Sequence, residues 1–136
     1  ENGDELKKFN TKDGMGIGLL HKAGFKTAII TGEDVNIVKN RANKLKIKEI
    51  QLGIKDKLEC MNKIIKKYNL SMDEVLYIGD DINDLNLLKN VGVSIAVADS
   101  LEIIKDNADY ITKAKGGQGA VREVAELVLK DDKVIL

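Results

Sequence analysis

Three carboxylates within five positions, Asp80, Asp81 and Asp84, lie in the run Gly79-Asp80-Asp81-Ile82-Asn83-Asp84, directly after the apolar segment Val75-Leu76-Tyr77-Ile78. Hard oxygen ligands on a tight turn at a strand end are what a magnesium ion takes: one or two carboxylates hold it, and water and phosphate fill its remaining positions. The plainer reading is a solvated acidic turn that caps a helix, since aspartate is common at helix starts. The apolar strand before the turn and a second polar site upstream favour the metal. That second site is Thr31-Gly32 after Ala28-Ile29-Ile30, where a hydroxyl and an exposed backbone amide at a helix start suit a phosphate oxygen. Read alone, it is equally a capping threonine with a turn glycine. Lys57 enters a helix after Gly53-Ile54-Lys55-Asp56, and by itself it reads as a solvated surface cation.

Other polar features carry less. Gly116-Gly117-Gln118-Gly119 before the last helix reads as a flexible turn more readily than as a phosphate cradle. Gly14-x-Gly16-x-Gly18 follows no buried strand, which excludes a dinucleotide-binding reading. His21 has no partner at nucleophile or zinc spacing and reads as a surface residue. Cys60 reads as packing within a helix. Arg41 and Arg122 are the only arginines, and a planar guanidinium is the better clamp for a carboxylate or phosphate.

The elements that must position these residues alternate regularly. Strands are expected at Lys26–Ile30, Glu49–Leu52, Val75–Ile78, Ser94–Val97 and Tyr110–Ile111. Helices are expected at Gly14–Lys22, from an Asp34 cap to Leu45, at Lys57–Tyr68, near Asn83–Lys89, near Leu101–Lys105 and at Ala120–Leu129. Ser71 and Glu74 form a capping-box pattern before the third strand, and Asp4–Asn10 reads as a short polar arm of a hairpin. Such alternation implies an α/β fold with a mostly parallel sheet covered by helices on both faces. In such sheets the ligand sits at the carboxyl ends of the strands. The 136 residues suit one domain, and 43% apolar with 32% charged residues is ordinary for a globular protein. Basic and acidic residues balance at 22 each, so nothing argues for a nucleic-acid partner. A single cysteine excludes an internal disulfide, and no apolar run is long enough to span a bilayer, so a cytoplasmic location is expected.

Taken together and in order, Thr31-Gly32, Lys57 and Gly79-Asp80-Asp81-x-x-Asp84 resemble motifs two, three and four of the haloacid dehalogenase phosphatases. The likeness extends to a small, capless branch of that family in Phe9-Asn10-Thr11-Lys12-Asp13-Gly14, Val97-Ala98-Asp99 and Gly116-Gly117-Gln118-Gly119-Ala120-Val121-Arg122-Glu123. The resemblance implies a Rossmann-like sheet without a cap domain and a magnesium-dependent phosphomonoester hydrolase. Its substrate would be a 2-keto-3-deoxy sugar acid phosphate, and the reaction would pass through an aspartyl-phosphate. It implies Asp80 and Asp84 as magnesium ligands with Asp81 in support, and Thr31, Gly32 and Lys57 as phosphate-binding groups, Thr31 and Lys57 in catalysis. It implies Asn10, Thr11, Lys12, Asp13, Gly14 and Arg41 as substrate contacts, and a homotetramer in which early hairpins wall neighbouring sites.

Two departures matter. The family's Asp-x-Asp motif should lie on an apolar central strand before Phe9, and none stands there. The expectation is a single phosphatase-like domain over residues 1–136, continued before Glu1, with the strands ending at Ile30 and Ile78 separated by the place of that strand. Glu33 and Lys44 resemble relatives acting on nonulosonate (sialic acid) 9-phosphates more than those acting on 3-deoxy-D-manno-octulosonate 8-phosphate, and lean the substrate toward nine carbons. These alternatives would place the protein in sialic acid or lipopolysaccharide biosynthesis. A non-catalytic oligomerisation domain of a CMP-sialate synthetase is the competing reading. A receiver-like domain is disfavoured because Lys57 precedes the acidic loop.

Overall fold

The computed structural model describes the backbone of residues 11–135 and the side chains of 13–130. The hairpin expected at Asp4–Asn10 and the candidate contact Asn10 lie outside the described residues, and Thr11 and Lys12 are placed only as the first two residues of a helix. Element order is α1 (Thr11–Lys22), β1 (Ala28–Ile30), α2 (Asn36–Lys44), β2 (Glu49–Gln51), α3 (Lys57–Lys67), β3 (Leu76–Gly79), α4 (Leu85–Leu88), β4 (Val93–Ala96), α5 (Glu102–Asp106), β5 (Tyr110–Ile111) and α6 (Ala120–Ile135). Single 3₁₀ turns at Met72–Glu74 and Ile82–Asp84 flank β3. The alternation is as expected, and Ser71 and Glu74 form their capping box. Asp34 does not cap α2: the cap position is Val35, in extended conformation and with no side-chain hydrogen bond. Asp56 performs that task for α3, accepting from the Glu59 amide at 3.0 Å.

Among the described residues all strand pairs are parallel, and they form two separate sheets, β1-β2 and β3-β4-β5. β1 and β3 are not hydrogen-bonded to each other. Between their edges lies a cavity of about 440 Å³, bounded by Thr27–Ile30 of one sheet and Val75–Ile78 of the other. α1 and α6 pack on each other and line this slot with Ile17, Leu20, Val121 and Val124, while α3 contributes Met61 and Ile64. The expected separation of the Ile30 and Ile78 strands is therefore present. It also explains why an apolar strand is only partly covered: in β1, Ala28 is exposed, Ile29 half-buried and only Ile30 buried. A strand reaches full burial only when both edges and both faces are covered.

The core runs beside the slot. Ile30, Met61, Ile64 and Leu87 form one buried cluster, and Leu88, Ala96 and Ile104 a second. The Tyr77 ring packs against both. Among the described residues no cap domain interrupts the series, and no helix is long and apolar enough to cross a membrane.

Candidate active site at the carboxyl edge of the sheets

The turn after β3 is built around Asp84. Strand alternation puts Tyr77 and Gly79 on one face, and Asp84 folds back beneath them. A Cβ placed on Gly79 would stand 2.8 Å from the Asp84 Cβ, so only glycine admits this approach. The Asp84 Oδ2 accepts from the amides of Asp80 (3.0 Å) and Asp81 (3.1 Å), and its Oδ1 accepts from Lys57 Nζ (2.6 Å) and the Tyr77 hydroxyl (2.5 Å). Asp81 Oδ1 in turn accepts from the Ile82 amide at 2.7 Å, which starts the 3₁₀ turn. Ser100 Oγ donates to the Gly79 carbonyl at 3.3 Å, and the Leu101 amide to that of Asp80 at 3.3 Å, tying the loop to the segment after β4.

Burial by itself would raise the Asp84 carboxyl. The hydrogen bonds from Lys57, Tyr77 and the Asp80 amide outweigh it and hold the group below the ordinary carboxylate range. Burial, then the neighbouring Asp84 charge, push the Tyr77 hydroxyl far above the usual tyrosine range, so it serves as a donor.

Lys57 is thus not the solvated cation its surroundings in the sequence indicate. It is 8% exposed and paired across 27 residues of chain with a carboxylate that is 2% exposed. The surface reading fails because the partner is distant in sequence. Asp84 also differs from expectation. Four donors occupy its two oxygens, so its carboxylate organises the loop rather than facing outward as an open ligand. Asp80 and Asp81 have exposed side chains on the same loop. Among the described residues no three His, Cys, Asp or Glu side chains converge as a ready metal cage.

The Thr31-Gly32 turn lies against this loop: a Cβ on Gly32 would stand 3.5 Å from Asn83 Nδ2. Thr31 is anchored by its amide to the Gln51 carbonyl (3.0 Å) and by its carbonyl to the Ile54 amide (2.9 Å). Its Oγ1 accepts from the Glu33 amide at 3.1 Å, and the Glu33 carbonyl accepts from the Gly53 amide at 2.8 Å. Three loops, after β1, β2 and β3, therefore meet at one edge, with Thr31, Lys57 and Asp80–Asp84 drawn together beside the mouth of the slot.

The residues read as sugar contacts divide. Asp13 is 2% exposed, and its oxygens accept from the amides of Gly119 (3.4 Å), Val121 (2.9 Å) and Arg122 (3.4 Å). It caps the start of α6 and so is a tether between helices, not an open substrate group; free amides at a helix start draw a carboxylate strongly. Gly14 lies near Arg41: a Cβ on Gly14 would stand 3.8 Å from Arg41 Nη2, so these two candidates are neighbours. Glu33 and Lys44 are not. Both are exposed, but one precedes α2 and the other ends it. Asn36–Lys44 alone spans about 12 Å at about 1.5 Å rise per residue, so the length of α2 lies between the two positions. Glu33 therefore lies outside the helix that carries Lys44 in its last turn.

Among the remaining residues, His21 Nε2 meets Thr27 Oγ1 at 2.5 Å and is half-buried rather than free on the surface. Cys60 is half-buried against the core, and burial raises its thiol above the ordinary range, which suits packing. Arg122 pairs with Glu126 at 3.0 Å along α6. Tyr77 was missed by sequence reasoning. The available signal was a hydroxyl-bearing ring in an otherwise apolar strand, two residues before the glycine that makes room for Asp84.

Comparison with known proteins agrees with this geometry. Residues 31–124, from the threonine turn to the start of α6, match the family described as haloacid dehalogenase-like hydrolase. The 3-deoxy-D-manno-octulosonate 8-phosphate phosphatase of Yersinia pestis is 42% identical over 127 residues, which cover 93% of this chain and 68% of that protein. Its counterpart from Escherichia coli K12 is 40% identical over 128 residues, covering 94% and 68%. The crystal structure of the Moraxella catarrhalis phosphatase of the same name, in complex with a magnesium ion, a phosphate ion and a KDO molecule, superposes with a TM-score of 0.89 at 40% identity. That match covers 93% of this chain and 75% of the other. Three loops converging on a Lys57–Asp84 pair, a parallel α/β frame and this degree of identity lead to one assignment: the chain belongs to the haloacid dehalogenase-like hydrolase family.

Proposed function

We propose that this protein is a magnesium-dependent phosphatase of 3-deoxy-D-manno-octulosonate 8-phosphate. The observation that carries the reading is the meeting of Thr31-Gly32, Lys57 and the Asp80–Asp84 loop at the mouth of the slot, in a chain 40–42% identical to phosphatases named for that substrate. The slot lies between the facing edges of β1 and β3, where one more parallel strand would join the two sheets, each neighbour about 4.8 Å away. A strand there would bring a nucleophilic aspartate to the carboxyl edge, beside these loops. That aspartate would attack the phosphoryl group in line, breaking its bond to the sugar's ester oxygen, which the motif's second aspartate would protonate as it leaves as the alcohol. Water would then hydrolyse the aspartyl-phosphate to inorganic phosphate and the free carboxylate.

Magnesium asks for few protein ligands, often one or two carboxylates, and Asp80, with its exposed side chain at the carboxyl end of β3, fits that demand, with Asp81 in support. When bound, the ion would offset charge on the phosphoryl oxygens. The chain's own groups would do the rest. Lys57, held by Asp84, would stabilise developing negative charge. The Thr31 hydroxyl and the Gly32 amide would receive a phosphoryl oxygen. Arg41, near Gly14, would supply a cation for the sugar acid's carboxylate.

The relatives named above act on the eight-carbon substrate, and the nine-carbon lean rests only on Glu33 and Lys44, which α2 holds apart. We therefore favour eight carbons. Nothing observed favours a synthetase-associated, non-catalytic domain. The protein is proposed to be cytoplasmic and homotetrameric, as the family resemblance implies, and light scattering that returned a monomer would count against the assembly. The substrate test is kcat/KM for octulosonate 8-phosphate against a nonulosonate 9-phosphate. The eight-carbon substrate is expected to lead by at least about tenfold, or about 1.4 kcal/mol. A lead of that size for the nine-carbon compound would overturn the assignment. Asp80→Asn is expected to remove magnesium-stimulated turnover.

A further inference from the structure

We propose that Tyr77 is a positioning residue whose hydroxyl, by holding Asp84 Oδ1, keeps the acidic loop and Lys57 in their working arrangement. The inference deepens the phosphatase reading and rests on it for its catalytic consequence, though not for its structural one. Asp84 has one carboxylate for two tasks. Oδ2 closes the loop through the Asp80 and Asp81 amides, and Oδ1 holds Lys57. A carboxylate held on one edge by a single flexible lysine can rotate about its terminal torsion, which is broad. The Tyr77 hydroxyl supplies a second donor on Oδ1, from a ring fixed by two core clusters. It thereby links the rigid strand β3 to the loop that follows it. With the hydroxyl gone, Lys57 alone would hold Oδ1, and the loop amides would lose their fixed acceptor.

Tyr77→Phe keeps the ring and removes only the donor. Amide hydrogen exchange at Asp80 and Asp81 is expected to quicken by about tenfold, the scale of one hydrogen bond to a charged group. The amides of β4 should be unchanged. Tyr110→Phe is the control, because that hydroxyl donates to Glu123 (2.7 Å), away from the acidic loop. It should leave Asp80 and Asp81 protected. Calorimetric titration with magnesium chloride should show weaker binding to Tyr77→Phe, and with octulosonate 8-phosphate kcat should fall while KM holds.

Unchanged protection at Asp80 and Asp81 would overturn the proposal, whatever the enzyme's substrate. Exchange that quickens equally in β4 would also overturn it, by showing a loss of global stability only. Quickened loop exchange in a parent protein that neither binds magnesium nor hydrolyses the ester would uphold the positioning role and sink the phosphatase reading, so the two failures are distinct.

Discussion

Asp84 and Asp13 show how much a single buried carboxylate does when it gathers several donors. Asp84 is buried with a cation, a phenol and two amides, and removing its charge strands Lys57 in a dry site. Asp84→Asn is expected to destabilise the protein by about 3 kcal/mol or more, read from denaturant midpoints, because one partner of a buried pair is lost. Its pH behaviour follows from the depressed folded value. The unfolded carboxyl binds a proton more readily than the folded one, so the stabilisation is full above the ordinary carboxyl range. It is lost as pH falls through the lower, folded value. Melting temperature should therefore fall on acidification below about pH 4, and this part of the fall should be absent in Asp84→Asn. Asp13 is an interhelix cap, and Asp13→Ala is expected to cost about 1–2 kcal/mol, measured by thermal melting. If Asp13 contacted the sugar instead, the same change would raise KM and leave stability alone.

At the scale of elements, the crossing of α1 and α6 decides where the early residues stand. A Cβ on Gly16 would lie 2.8 Å from the Arg122 Cα and 3.0 Å from its amide nitrogen, so the two backbones meet there without a side chain between them. The glycines that look like a nucleotide fingerprint are in part a packing seam. Gly16→Val should push the helices apart and disturb the Asp13 cap beside them, costing about 1–3 kcal/mol by chemical denaturation. Elements also set the limits of what a sequence shows. α3, with its Asp56 cap and apolar Leu58, Met61, Ile64 and Ile65, is legible from period and punctuation. The failed Asp34 cap is not, because the turn that follows Thr31 is drawn instead toward Gly53 and Ile54 by long-range backbone bonds.

For the whole molecule, the governing feature is the slot. Two parallel sheets present to one cavity inner edges that no other described strand pairs with, and such strand edges invite another strand. An apolar peptide of strand-forming residues carrying Asp-x-Asp is expected to bind the 136-residue chain and raise its melting temperature. The gain would be worth roughly 2.7 kcal/mol at a hundredfold excess over its dissociation constant. The same peptide with a central proline lacks an amide donor and should not. Equal melting shifts from both peptides would show that the slot binds apolar chains without pairing to them.

The division between sequence and structure falls along distance in the chain. Periodicity, capping residues and a three-carboxylate turn after an apolar strand were sufficient for the α/β class, the order of the elements and the edge at which chemistry gathers. Each of those signals is local, spanning a turn of helix or a short strand. What the sequence left open depended on partners far away. Lys57 is a surface cation or a buried one according to Asp84, 27 residues on. Asp13 is a ligand group or a cap according to Val121, 108 residues on. Glu33 and Lys44 carry a resemblance in sequence, and only the fold puts one before α2 and the other at its end. Burial and pairing are properties of the assembled core, where desolvation makes a polar group take whichever partner the fold brings near, and only the tertiary structure names that partner.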